Sequence, residues 1–171
     1  MFSFTGRNIL VTGAGSGIGK ATALAVGQQG GSLIVVDRNQ ETADRTVEQL
    51  EQIGSKAKAI WADISDLEAV DRMYAETLEN FETLDGIVHC AGIGIERTIM
   101  ETTIEEWNRI ISVNLTGTFL CAQGAAKIMA RQRYGRIVLM GAVAGERGGT
   151  GRTAYGASKG GVSAITRVMA V

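Results

Sequence analysis

Apolar residues fall along this chain in two alternating rhythms. Short unbroken runs at Asn8 to Thr12, Ser32 to Asp37, Lys56 to Ala62, Leu84 to Cys90 and Arg136 to Gly141 have the length and branching of β-strands. Between them, apolar positions recur at helical spacing, as in Ala43, Val47 and Leu50, and again in Val70, Met73, Thr77 and Phe81. The predicted order is βαβαβαβαβα. A run such as Leu33-Ile34-Val35-Val36 leaves no polar face, so it predicts strands covered on both sides: a doubly wound parallel sheet between two layers of helices, a three-layer α/β/α fold. Two helix starts have capping-box spacing, Ser65 to Glu68 and Thr103 to Glu106, and Gly54 is placed to end the helix before the third strand. The stretch Ser158 to Val171 reads as a helix with Val162, Ile165, Thr166 and Met169 on one face. No repeat, linker or low-complexity tract divides the chain, which predicts a single domain over residues 1–171.

Composition narrows the classes of function. With 171 residues, 45% apolar and 20% charged, the chain is large enough to fold around its own core without metal or disulfide support. Seventeen Lys and Arg against eighteen Asp and Glu leave a net charge of −1, so no basic field is available for a nucleic-acid backbone and no nucleic-acid partner is expected. The start lacks a basic region followed by an apolar one, and no run is long enough to span a bilayer, so the expectation is a cytoplasmic protein with no membrane partner. Cys90 and Cys121 lie in apolar surroundings without metal-ligand or redox-motif spacing; both are expected to be reduced thiols, and no metal site is expected. The six methionines, with Trp61, Trp107, Tyr74 and Tyr134, are expected to pack in the core or in interfaces. Proline is wholly absent, for which we have no physical account.

The first strand runs into Gly13-Ala14-Gly15-Ser16-Gly17-Ile18-Gly19, glycines that open a helix. Such a turn lets the backbone approach a pyrophosphate, while the free N–H groups of the helix start attract the anion. About twenty residues on, Asp37 ends the second strand, where a carboxylate accepts from both adenosine ribose hydroxyls and repels a 2′-phosphate, favouring NAD over NADP. Arg38 is the counter-argument, since a guanidinium there could hold a phosphate, but Ala14, Gly15 and Ser16 offer no basic helper. Later in the chain Tyr155 and Lys159 stand four residues apart, one helical turn, so a phenol and an ammonium share a face and the cation favours the phenolate.

Thr12-Gly13-x-x-x-Gly17-x-Gly19, Cys90-Ala91-Gly92, Asn114 and Tyr155-x-x-x-Lys159, in this order and separation, resemble the short-chain dehydrogenase/reductase family over the whole chain. The resemblance implies a Rossmann-like sheet, a nicotinamide cofactor, which Asp37 makes NAD, hydride transfer to or from a secondary alcohol or ketone, and homotetramers or homodimers built on the long fourth and fifth helices. By the same resemblance Tyr155 is the acid/base for the substrate oxygen. Lys159 binds the nicotinamide ribose, and Asn114 holds a water in the proton relay. The resemblance assigns the pyrophosphate turn to Gly13, Ser16, Gly17, Ile18 and Gly19, and the adenine contact to Asp63 and Ile64. Cys90, Ala91 and Gly92 would meet ribose, and Val113 would lie behind nicotinamide.

Three positions depart from the family pattern. His89-Cys90 stands where two asparagines are usual, and a lone His at a strand end is read as a satisfied structural residue. The family's catalytic serine, thirteen residues before the tyrosine, is Ala142 here; losing one such donor costs about 10² to 10³ in rate. Two readings stay open: an enzyme weakened or inactivated by a Ser-to-Ala change, and an inert NAD(H)-binding sensor or scaffold. The family's final strands and substrate-covering loop are also missing, so the sequence is expected to be a fragment of a longer enzyme. Arg152, three residues before Tyr155, either binds an anionic substrate or pairs with Glu146.

Overall fold

The computed structural model describes residues 3–171. Five strands form one sheet: β1 (Asn8–Thr12), β2 (Ser32–Asp37), β3 (Ala57–Trp61), β4 (Gly86–His89) and β5 (Arg136–Leu139). Their order is β3-β2-β1-β4-β5, and every pairing is parallel. Alternation along the strands sends residues to two cores. Leu10, Ile34, Val36, Ile60 and Ile87 face α3 (Leu67–Phe81) and α5 (Gly117–Gln132), which supply Val70, Met73, Phe81 and Ala125. Ile9, Val11, Leu33 and Val35 face α1 (Gly17–Gln28) and α2 (Gln40–Gln52) through Ala23, Val26, Ala43 and Leu50. Leu10, Leu33 and Ile34 are fully buried, and each such side chain contributes about 1.5–3 kcal/mol. This is the expected Rossmann-like, doubly wound α/β/α architecture.

Several boundaries and connections differ from the sequence reading. Strands β3 and β4 are shorter than the apolar runs at both ends and β5 at its carboxyl end, because the outermost residues belong to the connections on either side of the sheet. Between β4 and β5 the chain makes α4 (Ile104–Ile111), a π-helical turn (Ser112–Thr116) and α5, not one helix; after β5 come α6 (Val143–Arg147) and α7 (Thr153–Met169). The last helix thus begins five residues before Ser158 and ends at Met169. The Thr103 capping box forms with both of its hydrogen bonds. That at Ser65 does not: Asp66 caps α3 by accepting from the Glu68 N–H, and the Ser65 hydroxyl instead donates to Asp63 Oδ1 at 2.6 Å. Gly54 follows α2 with a φ of 78°, in the expected stop position.

Packing assignments were partly right. Tyr74 is buried, its hydroxyl donating to the Cys121 carbonyl, and Met73 and Met129 are in the core. Met100 is 90% exposed and Trp61 51% exposed, so neither is a core residue. Helices α6 and α7 touch closely: a Cβ on Gly145 would lie 2.6 Å from the Gly160 nitrogen. That contact seats the loop after β5 on the helix that carries Tyr155. The strand order reverses between β1 and β4, which opens a crevice at their carboxyl ends.

Candidate active site

The crevice is a cleft of roughly 350 Å³, in the range of small-ligand sites. Gly13, Ser16, Gly17, Ile18 and Gly19 form one wall, and Asp37, Arg38, Asp63 and Ile64 the far end. Cys90, Ala91, Gly92 and Val113 complete it, so these thirteen residues, singled out from the sequence, lie together. Val36, Ala62 and Ile93 also line the cleft and were missed. The signal for the first two was their position, immediately before Asp37 and Asp63 at strand ends.

Helix α1 starts at the glycine turn with no acidic residue in its first turn, and its N-cap, Ser16, makes no side-chain cap hydrogen bond. Its end therefore presents open N–H groups and an unneutralised positive dipole. Gly17 has a φ of +51°, and a Cβ there would meet nothing within 4 Å, so the backbone is bare toward the cleft. This is a fit for a pyrophosphate. At the end of β2, Asp37 Oδ2 accepts from the Gly15 N–H at 2.9 Å and Oδ1 from the Asn39 N–H at 3.0 Å. Asp63 accepts from the Ser65 hydroxyl and, at 2.9 Å, from the Ser65 N–H, and these bonds hold its carboxyl below the usual carboxylate range.

The end of β4 is polar inside. Thr12 Oγ1 accepts from the Ala91 N–H at 3.2 Å and lies 2.9 Å from His89 Nδ1. Burial, with a smaller push from Lys159, lowers His89 to about 4, so the ring is neutral at physiological pH. Its Nε2 has no hydrogen-bond partner among the described residues, so the expected satisfied histidine is satisfied on one side only. Cys90 and Cys121 are free thiols, both raised by burial, Cys121 to about 12.

Tyr155 and Lys159 lie on α7, and the Lys159 Nζ is 5.8 Å from the Tyr155 ring centroid. Lys159 is 6% exposed, donates to the Met140 carbonyl at 2.7 Å, and is lowered by burial. Asn114 sits in the π-helical turn, fully buried. Its Oδ1 accepts from the Ile93 N–H at 2.8 Å, and its Nδ2 donates to the Ile93 carbonyl at 2.8 Å and to Ser158 Oγ at 3.3 Å. One amide hydrogen thereby holds the strap after Gly92 and the other ties the π-helical turn to α7. Ser158 and Ile93 were not legible as partners, because the contact spans distant segments.

Ala142 is the N-cap of α6 and lines a separate hollow with Gly141, Val143, Glu146, Arg147 and Ser163. Arg152 does not pair with Glu146. Its Nη2 donates to the Glu96 carboxylate, its guanidinium carbon is 5.8 Å from the Tyr155 ring centroid, and its backbone forms a bridge with Arg97. The strap from Gly92 pairs with the segment entering α7 at this point, which brings Glu96, not Glu146 of α6, to the guanidinium.

A parallel sheet with a glycine turn, an acidic strand end and a Tyr/Lys helix at its carboxyl edge defines a Rossmann-type α/β protein. The family model for short chain dehydrogenases matches residues 7–171, and the chain belongs to that family. It is 37% identical over 171 residues to a 3-oxoacyl-(acyl-carrier-protein) reductase of Synechocystis sp., covering 99% of this chain and 69% of the relative. It is also 37% identical to a 3beta-hydroxysteroid dehydrogenase of Mediterraneibacter gnavus, covering 100% of this chain and 62% of the relative. A crystal structure of NAD+-bound xylitol dehydrogenase superposes with a TM-score of 0.96 at 31% identity, over 98% of this chain and 65% of that one. The chain thus spans about two thirds of the length of these relatives.

Proposed function

We propose that this chain binds NAD(H) and belongs to an oxidoreductase that moves a hydride between the nicotinamide and a secondary alcohol or ketone, with the chemistry weakened by Ala142. The observation that carries the reading is that Tyr155 and Lys159 share one face of α7 and that Lys159 Nζ would lie 3.9 Å from a Cβ on Gly92, a residue lining the cleft that Asp37 also lines. The nicotinamide supplies or accepts the hydride when bound. Tyr155 exchanges the proton with the substrate oxygen, and Lys159 binds the nicotinamide ribose and holds positive charge near the phenol. Asn114 fixes the strap that forms one lip of the cleft and orders the relay beside it. Gly13, Ser16 and the start of α1 take the pyrophosphate, and Asp37 takes the adenosine ribose and selects NAD over NADP. The relatives, a 3-oxoacyl-(acyl-carrier-protein) reductase, a 3beta-hydroxysteroid dehydrogenase and a xylitol dehydrogenase, are named for substrates with a secondary alcohol or its ketone, which supports this reading.

Arg152 is proposed to meet the remote end of an anionic substrate, which must compete with Glu96 for the guanidinium. A homodimer or homotetramer and a cytoplasmic location complete the reading; the free thiols Cys90 and Cys121 favour a reducing compartment. The test is NADH formation from neutral and anionic secondary alcohols by this chain and by Ala142→Ser, with cofactor binding followed in parallel. A rise of about 10² to 10³ in kcat with the hydroxyl restored is expected. The missing hydroxyl at Ala142 also favours a second reading, a cofactor-binding sensor; NADH binding with no turnover in either form would replace the first reading by it.

A further inference from the structure

Trp61 stands at the carboxyl end of β3, an edge strand of the sheet, in register with Asp37 of β2. Paired residues on parallel strands send their side chains to the same face, so the indole and the carboxylate leave the sheet side by side. Packing alone does not explain an indole that is 51% exposed. Its Nε1–H donates to the carbonyl of Arg38 at 2.9 Å. That carbonyl and the N–H of Asn39 belong to one peptide unit, which is planar and turns as a single body. The Asn39 N–H is the group that grips Asp37 Oδ1 at 3.0 Å, while the Gly15 N–H holds Oδ2 at 2.9 Å. An indole on the edge strand is therefore linked through one rigid peptide to the carboxylate at the end of the cleft.

We propose that Trp61 is a positioning residue for cofactor discrimination, locking the Arg38–Asn39 peptide and through it the Asp37 carboxylate. The inference rests on the reading of Asp37 as the group that takes the adenosine ribose hydroxyls. Each carboxylate oxygen has two acceptor sites; one on each is used by the backbone, which leaves the others for a vicinal diol. Without the indole the peptide loses the restraint on its carbonyl side, the Asn39 N–H holds Oδ1 less firmly, and the carboxylate loses its fixed aim. Arg38, exposed and lining the same cleft, then has room to turn its guanidinium toward a 2′-phosphate. Loss of Trp61 thus moves the two cofactors in opposite directions, which a general loss of stability does not do.

The experiment is calorimetric titration of NADH and of NADPH into this chain, Trp61→Phe, Asp37→Ala, and a variant whose Trp61 is replaced by its benzothienyl isostere, which keeps the shape and removes the N–H. The chain as it stands is expected to bind NADH more tightly than NADPH. In Trp61→Phe and in the isostere the ratio of the two affinities is expected to fall by about fivefold or more, the scale of one lost hydrogen bond. An unchanged ratio, an equal loss for both cofactors, or an isostere that behaves like tryptophan overturns the role of the indole and leaves the reading of Asp37 standing. No preference for NADH in the unsubstituted chain, or an Asp37→Ala ratio equal to it, overturns the reading of Asp37 and this inference together.

Discussion

His89 gives the site a pH-dependent contribution to stability. Its folded value of about 4 lies below the ordinary 6.5, because the buried ring is deprived of water and Lys159 stands near it. Between those two values the unfolded chain binds a proton that the native one does not, so the stability it contributes is fully present above 6.5, falls as pH drops, and stops falling near 4. We expect urea unfolding to show a loss approaching about 3 kcal/mol across that window, and His89→Asn to remove that part of the pH dependence. An equal slope in the variant would place the dependence elsewhere. The sequence reading took His89 for a satisfied structural residue; its buried, unpartnered Nε2 was not legible, since it depends on which segments pack around β4. Ala142 is the reverse case. The missing hydroxyl is a property of one position in the chain and was visible before any fold.

At the scale of elements, the strap after Gly92 is held at one end by a side chain and at the other by an ion pair and a backbone bridge. Asn114 holds Ile93 from the π-helical turn, and Glu96 with Arg97 holds the start of α7. Asn114→Ala would leave the N–H and carbonyl of Ile93 without these partners in a half-buried place. The expected cost is about 2–4 kcal/mol in urea unfolding, with faster amide exchange at Ile93. Glu96→Gln removes the charge that occupies Arg152. In the Ala142→Ser background it is expected to lower KM for acidic alcohols by several-fold and to leave neutral ones unchanged; an unchanged KM for both would remove the anionic substrate from the reading. Neither contact could be read from spacing. The Thr103 capping box could, because both partners belong to one helical turn, whereas the Ser65 box lost its hydroxyl to Asp63 across the loop.

For the whole molecule, the outer edge of β5 carries no strand among the described residues. Val138 is 48% exposed on one face there, and Met129, Ile137, Leu139 and Met169 line a groove on the other. Unpaired backbone along an apolar edge is a template for association between chains. Light scattering is therefore expected to show self-association of this chain that rises with concentration, and Val138→Lys to reduce it without changing NADH affinity, since β5 lies away from the glycine turn. An equally associated Val138→Lys would place the contact on another surface.

The alternation of apolar runs and helical spacings determined the sheet, its parallel sense and its two cores, because burial on both faces of a strand is written in consecutive residues. The glycine turn, Asp37, and the pair Tyr155 and Lys159 were equally local, each set by a few neighbours in sequence, and so was the absence of a hydroxyl at Ala142. Tertiary structure alone decided which distant groups meet: Asn114 with Ile93 and Ser158, Arg152 with Glu96, Trp61 with the Arg38 carbonyl. Those contacts join segments about twenty to sixty residues apart, whose polar side chains carry no periodic signal; only the closing of the sheet brings them within hydrogen-bond distance.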